Sequence, residues 1–146
     1  MTCQGITLRP ARQSDESFLL DLRKQVMTEH LMRVGEATDD DAHLQRVRYC
    51  YTDAQIVLIG DVRVGLMKVC RSAQEWVLVQ IQILPGFQGQ GIGQHLLRVL
   101  LEDAKQYGVA VRLSVLRGNP ARRLYERLGF CMESETGKEY GLVFRR

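Results

Sequence analysis

The sequence predicts an α/β domain: a mixed β-sheet flanked by helices, in the order βααβββαβαββ. Three observations lead there. Segments with apolar residues at alternate positions interleave with segments at helical spacing. A glycine-rich turn, Gly86 to Gly93, joins a strand to a long helix. The chain has 146 residues, 45% of them hydrophobic and 25% charged, enough for one core without disulfides or metal.

Ile6 to Arg9 form a short strand stopped by Pro10. Ser14 is the expected N-cap of the first helix, with Asp15 and Glu16 in its positive first turn. Phe18, Leu22 and Val26 then recur at helical spacing to about Thr28. Thr38 caps a second helix whose first turn holds Asp39, Asp40 and Asp41 and whose inner side carries Leu44, Val47 and Tyr51. Gln55 to Ile59 is a β-rich run, Gly60-Asp61 suits a hairpin turn, and Val62 to Cys70 alternates back. Glu75 to Ile83 is the next strand. Trp76, Leu78, Gln80 and Gln82 share one of its faces, and Val77, Val79, Ile81 and Ile83 the other.

Pro85 ends that strand, and the glycine turn follows. Ile92, Leu96, Val99 and Leu100 mark the buried stripe of the long helix, which Gly108 ends. Val111 to Val115 is a strand. Pro120 stands in the first turn of a last helix with Leu124, Tyr125 and Leu128 inward, and Gly129 breaks it. Phe130 to Ser134 and Tyr140 to Phe144 close the chain as a hairpin. No repeat or low-complexity segment interrupts it, so residues 1–146 read as a single domain.

The net charge of +3 lacks the dense basic stripe of a nucleic-acid binder. No basic region followed by an apolar run opens the chain, and no apolar stretch reaches the roughly 18 residues of a membrane span. Cys3, Cys50, Cys70 and Cys131 are scattered, with no Cys-x-x-Cys pair and no His at zinc spacing. The expectation is a cytoplasmic protein with reduced thiols, no metal, and neither membrane nor nucleic acid as partner.

The glycine turn carries the chemistry. Its glycines let backbone N–H groups approach a ligand, and the following helix start adds partial positive charge. That combination suits a phosphate or pyrophosphate. The dinucleotide fingerprint fails, because counting from Gly89 and Gly91 its third glycine falls on Gln94, and Leu116 follows Val115 where an acidic residue is needed. The P-loop fails as well, since Ile92-Gly93 follow Gly91 where Lys and Ser or Thr are required.

Gln88-Gly89-Gln90-Gly91-Ile92-Gly93 instead resembles the Q/R-x-x-G-x-G/A loop of the GNAT superfamily, the GCN5-related N-acetyltransferases. Ile83-x-Pro85 looks like the strand ending before that loop. Asn119 and Tyr125, on one short helix closed by Gly129-Phe130, look like the family's second signature. The resemblance covers Glu75 to Phe130, and the element order agrees over the rest.

The resemblance implies acetyl-CoA as co-substrate and a primary amine of a small molecule, peptide or protein as acceptor, with direct transfer. It implies that pantetheine pairs with the backbone of Ile81, Gln82 and Ile83, where the N–H of Ile83 or Ile81 polarises the thioester carbonyl. The amides of Gln88, Gly89, Gln90, Gly91, Ile92 and Gly93 take the pyrophosphate, and Asn119 and Arg122 contact the cofactor. Tyr125 stands near the cofactor sulfur, as the acid for the departing thiolate. For the base there is no carboxylate where some members carry one, since Gln80 and Gln82 occupy those positions. Glu75, acting through water, is the candidate. Glu29, His30, Gln80, Gln82 and Tyr140 are the candidate acceptor-binding residues, and Glu139 shares the hairpin position of Tyr140. Homodimers are common in the family, and no segment of this chain marks an interface. The competing reading is an acyl-CoA-binding module without turnover on the same fold. The complete loop and Tyr125 favour the enzyme.

Overall fold

The structure, a computed structural model, describes residues 5–145; Cys3 lies outside them. Seven strands form one sheet: β1 (Ile6–Pro10), β2 (Ala54–Ile59), β3 (Val62–Arg71), β4 (Glu75–Ile83), β5 (Ala110–Leu116), β6 (Cys131–Glu135) and β7 (Glu139–Phe144). Their order across the sheet is β1-β2-β3-β4-β5-β7-β6. Every neighbouring pair is antiparallel except β4 and β5, which run parallel. The helices are α1 (Glu16–Arg33), α2 (Asp40–Arg48), α3 (Ile92–Tyr107) and α4 (Ala121–Arg127). The predicted fold class and element order are those of the structure.

Two apolar clusters hold the layers together. Leu19 and Leu22 of α1 and Val47 of α2 pack on Ile56 and Leu66. The larger cluster places α3 and α4 against Met67, Val69, Trp76, Leu78, Val111 and Leu113. In α3 the buried residues are Ile92, Leu96, Leu97, Leu100, Leu101 and Ala104, whereas Val99 is exposed. Leu97, Leu101 and Ala104 shift the stripe's centre, leaving Val99 just beyond the edge marked by Ile92.

The decisive feature is a bulge in β4. Lys68 pairs with Gln80 and Val69 with Leu78, so Val79 is an extra residue on β4. A one-residue slip exchanges the faces of everything beyond it. Trp76 and Leu78 therefore enter the cluster with α3, while Gln80 turns to the opposite side, where its Nε2 donates to the carbonyl of Arg46 on α2 at 3.2 Å. Gln82, opposite Leu66, follows Gln80. The expected single face of Trp76, Leu78, Gln80 and Gln82 is thus divided. Beyond the bulge β4 stays close to β3. A Cβ on Gly65 would collide with the backbone oxygen of Gln82.

Helix starts also differ from expectation. The first helix begins at Glu16, after a 3-10 turn over Gln13–Asp15, and runs to Arg33. The second starts at Asp40 behind Asp39, and no side chain caps either helix. Ser14 and Thr38 are not N-caps. Asp15 is 1% exposed, and its carboxylate accepts from Arg9 at 2.7 and 3.0 Å, Arg63 at 3.1 Å and the Arg12 amide at 2.8 Å. The Arg9 hydrogen bond holds its carboxyl well below the usual range. The unfolded chain therefore takes up protons first as pH falls. This stabilisation is complete at neutral pH and is lost progressively below about pH 4. Asp15→Asn is expected to reduce the unfolding free energy by about 2–4 kcal/mol, discounted because both arginines keep contact with water. Urea unfolding at pH 7 checks this, and the deficit should shrink toward pH 3.

Candidate active site

Parallel pairing of β4 with β5 covers only Glu75–Ala110, Trp76–Val111 and Val77–Arg112. Past that point the bulge at Val79 carries β4 away, while β5 stays with β7 through Leu116. The strands splay, and a cleft opens between them. On one side it widens into a cavity of about 760 Å³ bounded by α1, α2 and the β6–β7 turn. On the other it meets a cavity of about 440 Å³ lined by Gln88, Gly89, Gly91, Ile92 and Gly93. Met27, Ile81, Gln82, Asn119 and Tyr125 line both cavities and mark where they join.

Two glycines set the path of the turn. Gly89 and Gly91 sit at φ +77° and +81°, a region L side chains rarely adopt. Gly91 is the N-cap of α3, with no side-chain cap. The first helical bond there runs from the His95 amide to the Gly91 carbonyl, so the amides of Ile92, Gly93 and Gln94 have no helical acceptor behind them. Around Gly86, Gly89 and Gly93 an added Cβ would meet nothing within 4 Å. This open cradle fits a pyrophosphate. Gln88 does not join it: its amide donates to Pro85 at 3.3 Å and its side chain to the Ile83 carbonyl at 2.9 Å, fixing the turn. Gln90 is not among the lining residues.

Tyr125 is 8% exposed, at the junction of the cavities. Its ring packs edge-on to Phe130, 5.8 Å between centroids. Burial pushes its phenol up to about 12, so it is a donor at neutral pH. Asn119 precedes α4, its Oδ1 accepting from the Ala121 amide at 2.9 Å. Gln82 is 6% exposed, and its Oε1 has no partner among the described residues. A buried amide oxygen of that kind awaits a donor.

Several expected positions lie elsewhere. Glu75 lines neither cavity and is bound by Arg112, which also holds Glu133 at 3.0 Å. It stands at the closed end of the β4–β5 pair, away from the junction of the cavities. The Glu29 side chain is 90% exposed, 3.9 Å from Arg33. Tyr140 is held between Arg117 and Arg122, at 4.6 and 4.0 Å from its ring, and accepts from Arg117 at 3.0 Å. It braces the hairpin, and its neighbour Glu139 lines the larger cavity instead. Arg122 also bonds Glu126 at 3.4 Å, while Arg127 lines the glycine-side cavity. His30 belongs to that same cavity rather than to the larger one. Burial and Arg33 lower its pKa, and Arg33 donates to its Nδ1 at 3.1 Å.

The sequence reading missed Arg23 and Arg46, both lining the larger cavity. The signal for Arg23 was present. It falls four residues after Leu19, on the apolar stripe of α1, where an arginine is out of place.

A sequence profile described as the Acetyltransferase (GNAT) family matches residues 18–130. A [Ribosomal protein bS18]-alanine N-acetyltransferase from Haemophilus influenzae is 42% identical over 74 residues, 49% of this chain and 50% of that protein. The match thus spans about half the length of that relative. Among solved structures, the PaiA N-acetyltransferase of Thermoplasma acidophilum in complex with coenzyme A superposes with a TM-score of 0.73 at 16% identity, covering 97% of this chain and 99% of that one. Naa50 of Arabidopsis thaliana in complex with the bisubstrate analogue CoA-Ac-MVNAL gives 0.72 at 16%, over 97% and 99%. At these identities the superpositions establish a shared fold.

Proposed function

The chain belongs to the acetyltransferase (GNAT) family, and from that premise we propose that residues 1–146 are one N-acetyltransferase domain moving an acetyl group from acetyl-CoA to a primary amine. The carrying observation is the splay of β4 from β5, which opens a continuous cleft from the glycine cradle past Tyr125 into the larger cavity.

In this reading the pyrophosphate rests on the cradle from Gly89 to Gly93, with Arg127 alongside. Pantetheine follows the β4 backbone from Ile81 to Ile83. The acceptor enters from the larger cavity, past Gln80, as a neutral amine. Gln82 Oε1, short of a donor, accepts from the amine N–H or from a water beside it, and that water takes the proton the nitrogen gives up. The nitrogen attacks the thioester carbonyl, whose oxygen gains charge and is met by the Ile81 or Ile83 amide. Collapse forms the amide and breaks the C–S bond. The electron pair goes to sulfur, and the Tyr125 hydroxyl donates to it.

Cys50, Cys70 and Cys131 are free thiols, which supports a cytoplasmic setting. No helix among the described residues is long and apolar enough to cross a membrane. The test is acetyl-CoA binding by calorimetry, followed by release of free thiol with a library of primary amines. Binding with amine-dependent release is the expected result. Binding without release from any amine leaves an acyl-CoA-binding module, and no binding by the folded protein removes the reading.

A further inference from the structure

The larger cavity contains a buried cation without a counter-ion among the described residues. Arg23 is 6% exposed, and its Nε has no hydrogen-bond partner among the described residues. The charge acting on it most is another guanidinium, Arg46, which lines the same cavity and lies 4.8 Å from the ring of Tyr49. Lys68 lies fully buried behind them, its ammonium satisfied by the carbonyls of Arg46, Val47 and Tyr49. The acidic groups of the cavity do not neutralise Arg23. Glu36 is bonded by Lys138 at 2.6 Å, and Glu139 forms no ion pair with another described residue.

Burying a guanidinium unpaired costs several kcal/mol, and a protein commonly offsets that with a carboxylate of its own. None is supplied here. Burial and Arg46 lower the pKa of Arg23 only to about 10, so it stays charged at neutral pH. Its fork is suited to bidentate binding of a carboxylate. The site lies on the acceptor side of Tyr125, away from the glycine cradle.

We propose that Arg23, assisted by Arg46, binds a carboxylate of the acceptor, so that this protein prefers amines carrying a carboxylate close to the reacting nitrogen. The proposal rests on the acetyltransferase reading and names its substrate class. The carboxylate belongs either to a free amino acid or to an acidic residue beginning a peptide.

Matched acceptors separate these sources. Alanine against alaninamide tests a free α-carboxylate, and a peptide amide beginning with Glu against one beginning with Gln tests the side-chain carboxylate. In at least one pair the anionic member should have about tenfold higher kcat/KM. Arg23→Met should bring that ratio to about one, and Arg23→Lys should restore part of it. Acetyl-CoA affinity, read by calorimetry, should be unchanged in both. Arg23→Met should also raise the unfolding midpoint, because it removes an unpaired buried charge. Arg46→Met, at an exposed position, should reduce the preference independently, so the test survives a misfolded Arg23 variant. A wild type that binds acetyl-CoA but shows no anionic preference in either pair, or a preference that both variants retain, overturns the proposal and leaves the acetyltransferase reading intact. A wild type that binds no acetyl-CoA overturns both.

Discussion

Gly93→Trp is expected to weaken acetyl-CoA binding by at least about 100-fold, roughly 2.7 kcal/mol, without destabilising the protein. Gly93 lies in the first turn of α3 with ordinary helical backbone, and a Cβ there meets nothing within 4 Å. An indole would therefore fill the cradle without straining the chain. Replacing a helical glycine should even add about 0.5–1 kcal/mol to stability. Gly91→Trp should also abolish binding, with a further cost of about 1–2 kcal/mol from forcing a bulky residue into the left-handed region. Calorimetry and thermal unfolding on both variants separate the two effects. If Gly93→Trp bound acetyl-CoA like the wild type, the pyrophosphate would lie elsewhere and the cradle assignment would fail.

Tyr125→Phe is expected to lower kcat by about 100-fold and to leave the KM for acetyl-CoA within about threefold. The hydroxyl forms no hydrogen bond with another described residue, so its removal leaves no orphaned partner, and the ring keeps its contact with Phe130. Stability should change by less than about 1 kcal/mol. The pH profile adds an independent check. Burial raises the phenol to about 12, so the proton needed by the leaving thiolate remains in place well above neutrality. Wild-type kcat should therefore show no fall centred near pH 10, where an exposed tyrosine titrates. An unchanged kcat in Tyr125→Phe would assign this side chain to the core alone.

Much of this site was legible as local pattern. The strand ending at Pro85, the glycine turn and the helix from Ile92 stand together in sequence, and glycines at φ +77° and +81° must be close neighbours to shape one cradle. Tyr125 lies on α4 and Asn119 just before its start, six positions apart, so their spacing was readable too. The ion pair of Glu75 was not legible, because strand position alone hides a partner. Arg112 is remote in sequence, yet it stands at the paired end of β5, beside Val77. The bracing of Tyr140 was hidden for the same reason, as its partners Arg117 and Arg122 lie on the preceding turn and helix.

By itself, the sequence determined the element order, the cradle and the family, because each depends on residues a few positions apart whose backbone preferences act locally. Only the tertiary structure decided which way Gln80 and Gln82 face, where β4 leaves β5, and that Arg23 is buried without a counter-ion among the described residues. Those outcomes depend on one extra residue, Val79, in the pairing of β4 with β3 and on side chains brought together from α1, α2 and the last hairpin. A bulge has no residue signature in an alternating apolar run, since its register is set by the partner strand. A missing counter-ion is a property of the packed whole, because any carboxylate in the chain is free to supply it until the fold places them all.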